Sequence, residues 1–469
     1  MNTDLQDEWM QNFTFDELSI GQGATIARTL TEADVAGFAA VSGDINPTHL
    51  SDSYAREQGL LGRTVHGMWS GALVSAVLGT VFPGPGTIYV EQRMRFLGAA
   101  RVGDTLDISV RVKALERATR QVTLDCMVRR HDGKALMVGE AVVTAPTHKL
   151  RAQRASGLRW HVFDASAGLQ RLLEEATQHD GLRCAIVHPC DVESLRGAME
   201  AALHGLFTPV IVAPVRRVRA AAEEAGLDLT SMEIEDVPHS HAAADRAAEL
   251  AATGAVQALM KGSLHTDELM MAVLARPELR TKRRLSHVFR FDVPAYHKPL
   301  LVTDAALNIA PTLEDKVHIA QNAIDFAQAL GCEKPKLAAL AAVESVNPRM
   351  AATLDAAALS KMADRGQITG GLVDGPLAFD NAISSQAASI KGIASPVAGD
   401  PDILLAPDLA SANILAKQLE YLGGAMGSGV VIGARVPIAL TSRSDGATAR
   451  LASAALAVIL AQRYRSHPL

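Results

Sequence analysis

Ser42-Gly43-Asp44-Ile45-Asn46-Pro47-Thr48-His49 sets a carboxylate and an imidazole five residues apart around a rigid turn. Gly43 tolerates backbone angles that other residues avoid. Pro47 fixes its own φ and pushes Asn46 toward an extended conformation. The segment therefore reads as a loop that holds Asp44 and His49 in a set relation. A carboxylate and an imidazole sharing one water can take its proton and deliver another. The structural alternative is an ordinary turn, with Asp44 capping a helix that begins near Ser51.

Three stretches of the second half concentrate polar groups where a strand should end. Leu259-Met260-Lys261-Gly262-Ser263-Leu264-His265-Thr266 runs from a strand through a glycine into a helix N-terminus. Lys261 with the amides and hydroxyl of Gly262 and Ser263 could cradle an anion there. The spacing is not that of a Walker sequence, and plain strand–helix capping explains it as well. Leu301-Val302-Thr303-Asp304-Ala305 is a second such end, carrying Thr303 and Asp304. The third, Leu440-Thr441-Ser442-Arg443-Ser444-Asp445-Gly446, puts a guanidinium, hydroxyls and a carboxylate between an apolar strand and the last helix. Open parallel sheets bind ligands at such carboxyl ends. The structural alternative makes Asp445 a helix N-cap and Arg443 a surface ion pair.

The elements that must position these groups follow from the apolar pattern. Gly67 to Val81 is an apolar helix long enough to be centrally buried. Four β-like segments follow, Ile88 to Phe96, Thr105 to Leu115, Gln121 to Arg130 and Ala135 to Thr144. Leu106 to Lys113 alternates apolar and polar residues, as a half-buried strand does. The expected first domain, residues 1–148, is an α+β fold in which an antiparallel sheet wraps a central helix. Residues 149–160 contain basic residues and no acidic ones, which reads as a linker. From there strands alternate with helices. Residues 161–469 are expected to form a two-lobed α/β domain with parallel sheets flanked by helices.

A chain of 469 residues exceeds one ordinary core. A net charge of −6 argues against a nucleic-acid partner, since phosphate binding wants a basic face. The N-terminal residues are acidic and lack the regions of a signal peptide. Leu451 to Ala461 is too short to span a bilayer, so no membrane role is expected. Cys126, Cys184, Cys190 and Cys332 show no C-x-x-C spacing. Reduced thiols in a cytoplasmic protein, without a metal, are the expectation. His239 and His241, with no third ligand in view, read as a solvated turn.

Phe38 through His49, with Val65-His66-Gly67-Met68 downstream, resembles the MaoC-like (R)-specific enoyl-CoA hydratases of the hot-dog fold. That resemblance implies hydration of 2-trans-enoyl-CoA to 3-hydroxyacyl-CoA. Asp44 and His49 would share the attacking water, and the Gly67 amide would stabilise the thioester oxygen. Residues 165 to 469 resemble the phosphate acetyl/butyryltransferase family. The likeness rests on Lys261-Gly262, Thr303-Asp304-Ala305, Asp374 to Ala382, Pro407-Asp408 with Asn413-Ile414, and Ser442-Arg443-Ser444-Asp445. It implies exchange of an acyl group between coenzyme A and inorganic phosphate, giving acyl phosphate. Arg443 would grip the phosphate, Ser442 would bond near the reacting thiol or carbonyl, and Asp445 would be the base for the thiol. One departure stands out. Acetyltransferases of the family carry an arginine where this chain reads Thr266-Asp267-Glu268-Leu269-Met270-Met271, which leans toward the butyryl subgroup.

The expected protein is a bifunctional enzyme of CoA thioesters. Its substrates are acyl-CoA, enoyl-CoA, CoA, phosphate and acyl phosphate; no cofactor is held permanently, and a homo-oligomer is expected. The alternatives are that one half is a non-catalytic acyl-CoA-binding or regulatory module, or that the hot-dog half is a thioesterase or acyl-CoA binder.

Overall fold

Inward-facing Leu106, Ile108, Val110 and Val112 alternate with outward residues along one strand, and Val122, Leu124, Cys126 and Val128 do so along the next. In the computed structural model, which describes residues 9–153, 165–230, 232–441 and 445–468, these strands form the centre of an antiparallel five-stranded sheet. Its order is Gly23–Thr29, Thr105–Glu116, Gln121–Arg130, Ala135–Thr144, Ile88–Phe96. The helix Gly67–Thr80 packs on it through Trp69, Val74, Val77 and Leu78. Each such fully buried aliphatic side chain contributes about 1.5–3 kcal/mol over an exposed one. This is the α+β hot-dog layout expected of the first half.

Three details depart from expectation. The helix is not buried all round: Met68 stays 54% exposed, because the sheet covers one side only. The strand Gly23–Thr29 carries small residues and no sustained alternation, so its pattern is faint. Its place depends on Gly23, where a Cβ would stand 2.1 Å from the Val110 carbonyl oxygen. The stretch read as linker begins too early. Arg151–Gln153 pairs antiparallel with Trp9–Gln11, Arg151 lies 4.4 Å from the Trp9 ring centroid, and the Lys149 ammonium meets Glu17 at 2.9 Å. The rest of that stretch, from residue 154, lies outside the described residues.

The chain divides into two compact units between residues 162 and 163. Among the described residues of the second unit, eleven strands form one continuous sheet. One parallel set is Glu233–Asp236, Phe207–Ala213, Leu182–Val187, Ala258–Lys261 and Ile438–Ala439. The other is Leu300–Thr303, Ile403–Leu405, Lys336–Leu340 and Leu372–Leu377. Between them Met426–Ile432 and Ser286–Asp292 run antiparallel to their neighbours. The expected parallel sheets are thus two halves of a mixed sheet. The joining strands carry weak sequence signals, since Ser286, His287, Arg290 and Asp292 break the apolar run of one and Gly427, Ser428 and Gly429 that of the other. The C-terminal helix Ala447–Ser466 is buried from Arg450 to Ala461. No helix among the described residues is long and apolar enough to cross a membrane.

His287 sits in the antiparallel strand Ser286–Asp292, wholly buried against Phe289, and neither ring nitrogen makes a well-formed hydrogen bond. Burial pushes its pKa down to about 4, against the opposing pull of Asp304. An unfolded chain titrates its histidines near pH 6.5, as a reference value of about 6.5 implies. The unfolded state therefore takes up the proton first as pH falls. Stability contributed by neutral His287 is full above about pH 6.5 and is lost between there and about pH 4. His287→Leu is expected to flatten that acid limb in denaturant titrations at a series of pH values; an unchanged limb would show that other groups set it.

Candidate active sites

The first site is built by three short devices. Thr31 caps the helix Glu32–Ser42 in a capping box with Asp34, and Gly43 ends it at φ 74°, a left-handed value that suits glycine. Asn46 then caps the short helix Pro47–Leu50, its side chain accepting from the Thr48 amide at 3.1 Å. Ser51, not Asp44, caps the next helix, Asp52–Glu57. Asp44 is thereby left exposed, with its carboxylate accepting from the Asn46 amide at 3.3 Å.

His49 and His66 complete the site. Side-chain polar atoms of Asp44, His49 and His66 all lie within 4.8 Å of one another. His49 Nδ1 faces the Thr64 carbonyl at 2.7 Å. A carbonyl only accepts, so Nδ1 carries the proton and Nε2 keeps its lone pair. That leaves a base nitrogen and a carboxylate beside one another, able to hold a water between them. His66 was missed from sequence, where it looked like one residue of an apolar helix start. It is 2% exposed, its Nε2 donates to the Asp44 carbonyl at 2.9 Å, and its ring stacks 4.0 Å from that of His49. His66 thus holds the backbone of Asp44 and backs the ring of His49. It is also the N-cap residue of Gly67–Thr80, so the Gly67 amide opens that helix, where N–H groups lack intrahelical acceptors.

The second site is a cleft of about 930 Å³ in the second unit. Lys261, Ala305, Ala306, Asp408, Asn413, Lys417 and Thr441 line it together with apolar Leu264, Phe289, Ile309, Ile414 and Leu440. The helices Thr266–Ala275 and Leu409–Tyr421 begin at its edge. Two ammonium groups and two helix N-termini beside an apolar wall suit a ligand that is anionic at one end and greasy elsewhere.

Not every expected residue offers its groups to that cleft. The amides of Gly262 and Ser263 donate to the carbonyls of Val187 and His188, both at 2.9 Å, and the Ser263 hydroxyl donates to His188 at 2.8 Å. The anion cradle read from those two residues is therefore corrected: Val187 and His188 take their donors. Gly262 is needed because a Cβ there would stand 2.6 Å from the His188 oxygen. Thr303 likewise spends its hydroxyl on the His287 carbonyl at 2.9 Å. Buried Asp304 accepts from the amides of Ala306 and Leu307 at 3.0 and 3.1 Å and from Asn308, shaping the loop that presents Ala305 and Ala306. Both residues build the cleft wall from behind. Lys261 does reach the cleft, as does Lys417, which the sequence did not single out.

Ser442, Arg443 and Ser444 lie outside the described residues. Their flanks are described. Thr441 lines the cleft, and Asp445 is near enough for its charge to act on Lys417. Gly446, rather than Asp445, is the N-cap residue of the last helix. The histidines at 239 and 241 serve locally: His239 caps Ser240–Ala252, its Nδ1 accepting from the Ala242 amide at 3.2 Å.

Comparison with known proteins agrees with both halves. Residues 241–458 match the family described as phosphate acetyl/butaryl transferase, and residues 19–129 match the MaoC like domain. The chain is 54% identical to a phosphate acetyltransferase of Rhizobium meliloti over 63% of its own length and 94% of that protein. Among solved structures it is similar to a branched-chain phosphotransacylase from Enterococcus faecalis V583, at 31% identity and a TM-score of 0.53, over 60% of this chain and 99% of that one. The R-hydratase PhaJ1 of Pseudomonas aeruginosa is 39% identical over 33% of this chain and 99% of its own, with a TM-score of 0.32. The chain therefore belongs to the phosphate acetyl/butyryl transferase family, and it carries a MaoC-like domain in the same polypeptide.

Proposed function

We propose that the chain is a bifunctional enzyme that hydrates 2-trans-enoyl-CoA in its first unit and transfers an acyl group between CoA and phosphate in its second. The observation that carries the first activity is the contact of His49 Nδ1 with the Thr64 carbonyl, which leaves Nε2 as the base, with Asp44 beside it. His49 Nε2 takes a proton from the shared water, the hydroxyl oxygen bonds to C3, and a proton returns to C2. The Gly67 amide meets the thioester oxygen as negative charge gathers there.

In the second unit phosphate oxygen attacks the thioester carbonyl, the carbon–sulfur bond breaks, and CoA leaves as thiol. In the reverse direction Asp445 takes the thiol proton, and Arg443 holds the phosphoryl group with Ser442 beside it. Lys261 and Lys417 lend positive charge to the cleft. The acyl group is small, of acetyl to butyryl size, and the missing arginine after Thr266 supports the larger.

The strand Ile88–Phe96 is an edge of its sheet and leaves Ile88, Val90 and Phe96 between 47% and 64% exposed. This supports a homo-oligomer paired through the hot-dog unit. The four cysteines are unpaired, which supports a cytoplasmic setting.

Incubation with crotonyl-CoA, and separately with CoA plus acetyl or butyryl phosphate, tests the two activities. Hydration without transfer, or the reverse, would reduce one half to a binding module. The halves are further expected to fold alone when cut after Gln153, which keeps the pairing of residues 151–153 with 9–11. Each fragment should be soluble and keep its own activity; two inactive fragments would overturn the two-domain division.

A further inference from the structure

Arg450 stands in the first turn of the helix Ala447–Ser466 and is 1% exposed. A guanidinium there is costly twice over. Burial strips its water, and the helix N-terminus is the positive end of the dipole. Space is reserved for it nonetheless: a Cβ on Gly197 would stand 2.7 Å from Arg450 Cδ. A whole buried ion pair can be replaced by apolar side chains with no loss of stability, but removing one partner alone is destabilising.

Its contacts give the reason for keeping it. Nη1 donates to Thr441 Oγ1 at 2.9 Å, and Nε donates to the Asp445 carbonyl at 3.2 Å. One planar group thus holds two residues four apart in the chain, one lining the cleft and one whose charge acts on Lys417. Asp191 acts on Arg450 electrostatically. Asp191 is itself fixed as the N-cap of Val192–Leu203, accepting from the Ser194 amide at 2.8 Å and hydroxyl at 2.7 Å.

We propose that Arg450 is a positioning residue for acyl transfer, setting the separation of Thr441 and Asp445 so that the Asp445 carboxylate meets the CoA thiol. The inference rests on the transferase reading of the cleft. Arg450 touches no reacting atom; it works through the two residues it holds. A lysine cannot reproduce the role, because one ammonium lacks the fixed fork that bonds both partners at once.

Steady-state acyl transfer with acetyl or butyryl phosphate and CoA on the full chain tests it, with hydration and thermal midpoint measured on the same samples. Arg450→Met is expected to lower kcat about 100-fold, the cost of misplacing a reacting group by about 1 Å. KM values and hydration should stay near the parent's, while the midpoint falls, because Thr441 and Asp191 lose a buried partner. Arg450→Lys should recover part of kcat. Thr441→Val should lower kcat too, and the double variant should be no slower than Arg450→Met, because the two residues act as one unit. Parental kcat in Arg450→Met, or losses that multiply in the double variant, would overturn the proposal. Should Arg450→Met fail to fold, parental kcat in Thr441→Val would overturn it equally. A parent chain that transfers no acyl group refutes the transferase reading; a parent that does, beside an equally fast Arg450→Met, refutes the role of Arg450 alone.

Discussion

His49→Ala is expected to lower crotonyl-CoA hydration by about 10²–10⁴-fold, the usual cost of losing one general acid–base group. The argument runs through one hydrogen bond. Thr64 C=O can only accept, so His49 Nδ1 must donate, and Nε2 is left as the base. His66 commits its Nε2 to the Asp44 carbonyl, so it positions the Asp44 backbone. Asp44→Asn should cost a similar factor while disturbing little else. An asparagine keeps the volume and the oxygen that accepts from the Asn46 amide, but loses the charge that stabilises a protonated imidazole. Acyl transfer should persist in both variants. Rates of hydration near the parent's in either variant would remove the pair from the mechanism.

Arg443→Ala is expected to cut acyl transfer severely and leave hydration unchanged. Its role follows from residue type and from its flanks, Thr441 in the cleft wall and Asp445 close to Lys417. Phosphate offers paired oxygens, and a guanidinium presents two parallel N–H groups to them. Arg443→Lys keeps the charge and loses that fork, so the phosphate KM should rise. The turnover number should fall too, since charge on phosphate changes as the carbonyl is attacked. A surface ion pair would behave differently. Either substitution would then shift stability by less than about 1 kcal/mol and spare turnover. Kinetics of Arg443→Lys with varied phosphate separate the two, and an unchanged KM and kcat would refute phosphate binding by Arg443.

Local chemistry made much of this protein readable without coordinates. A strand such as Gln121–Arg130 announces itself because period-two alternation is a property of the backbone alone. The Asp44–His49 loop is likewise legible, since Gly43 and Pro47 constrain their own backbone angles whatever surrounds them. Tertiary structure decided what depends on neighbours distant in sequence. Gly262 and Ser263 looked free to bind an anion, but Val187 at the end of the neighbouring strand and His188 just after it take their donors. The strand Ser286–Asp292 was hidden, because Ser286, His287, Arg290 and Asp292 interrupt the apolar pattern and are buried only by the fold around them. The roles of His66 and Arg450 had no local signal. Each matters through a partner reached across a loop, Asp44 for one and Thr441 for the other, and only the folded chain brings those pairs to hydrogen-bond distance.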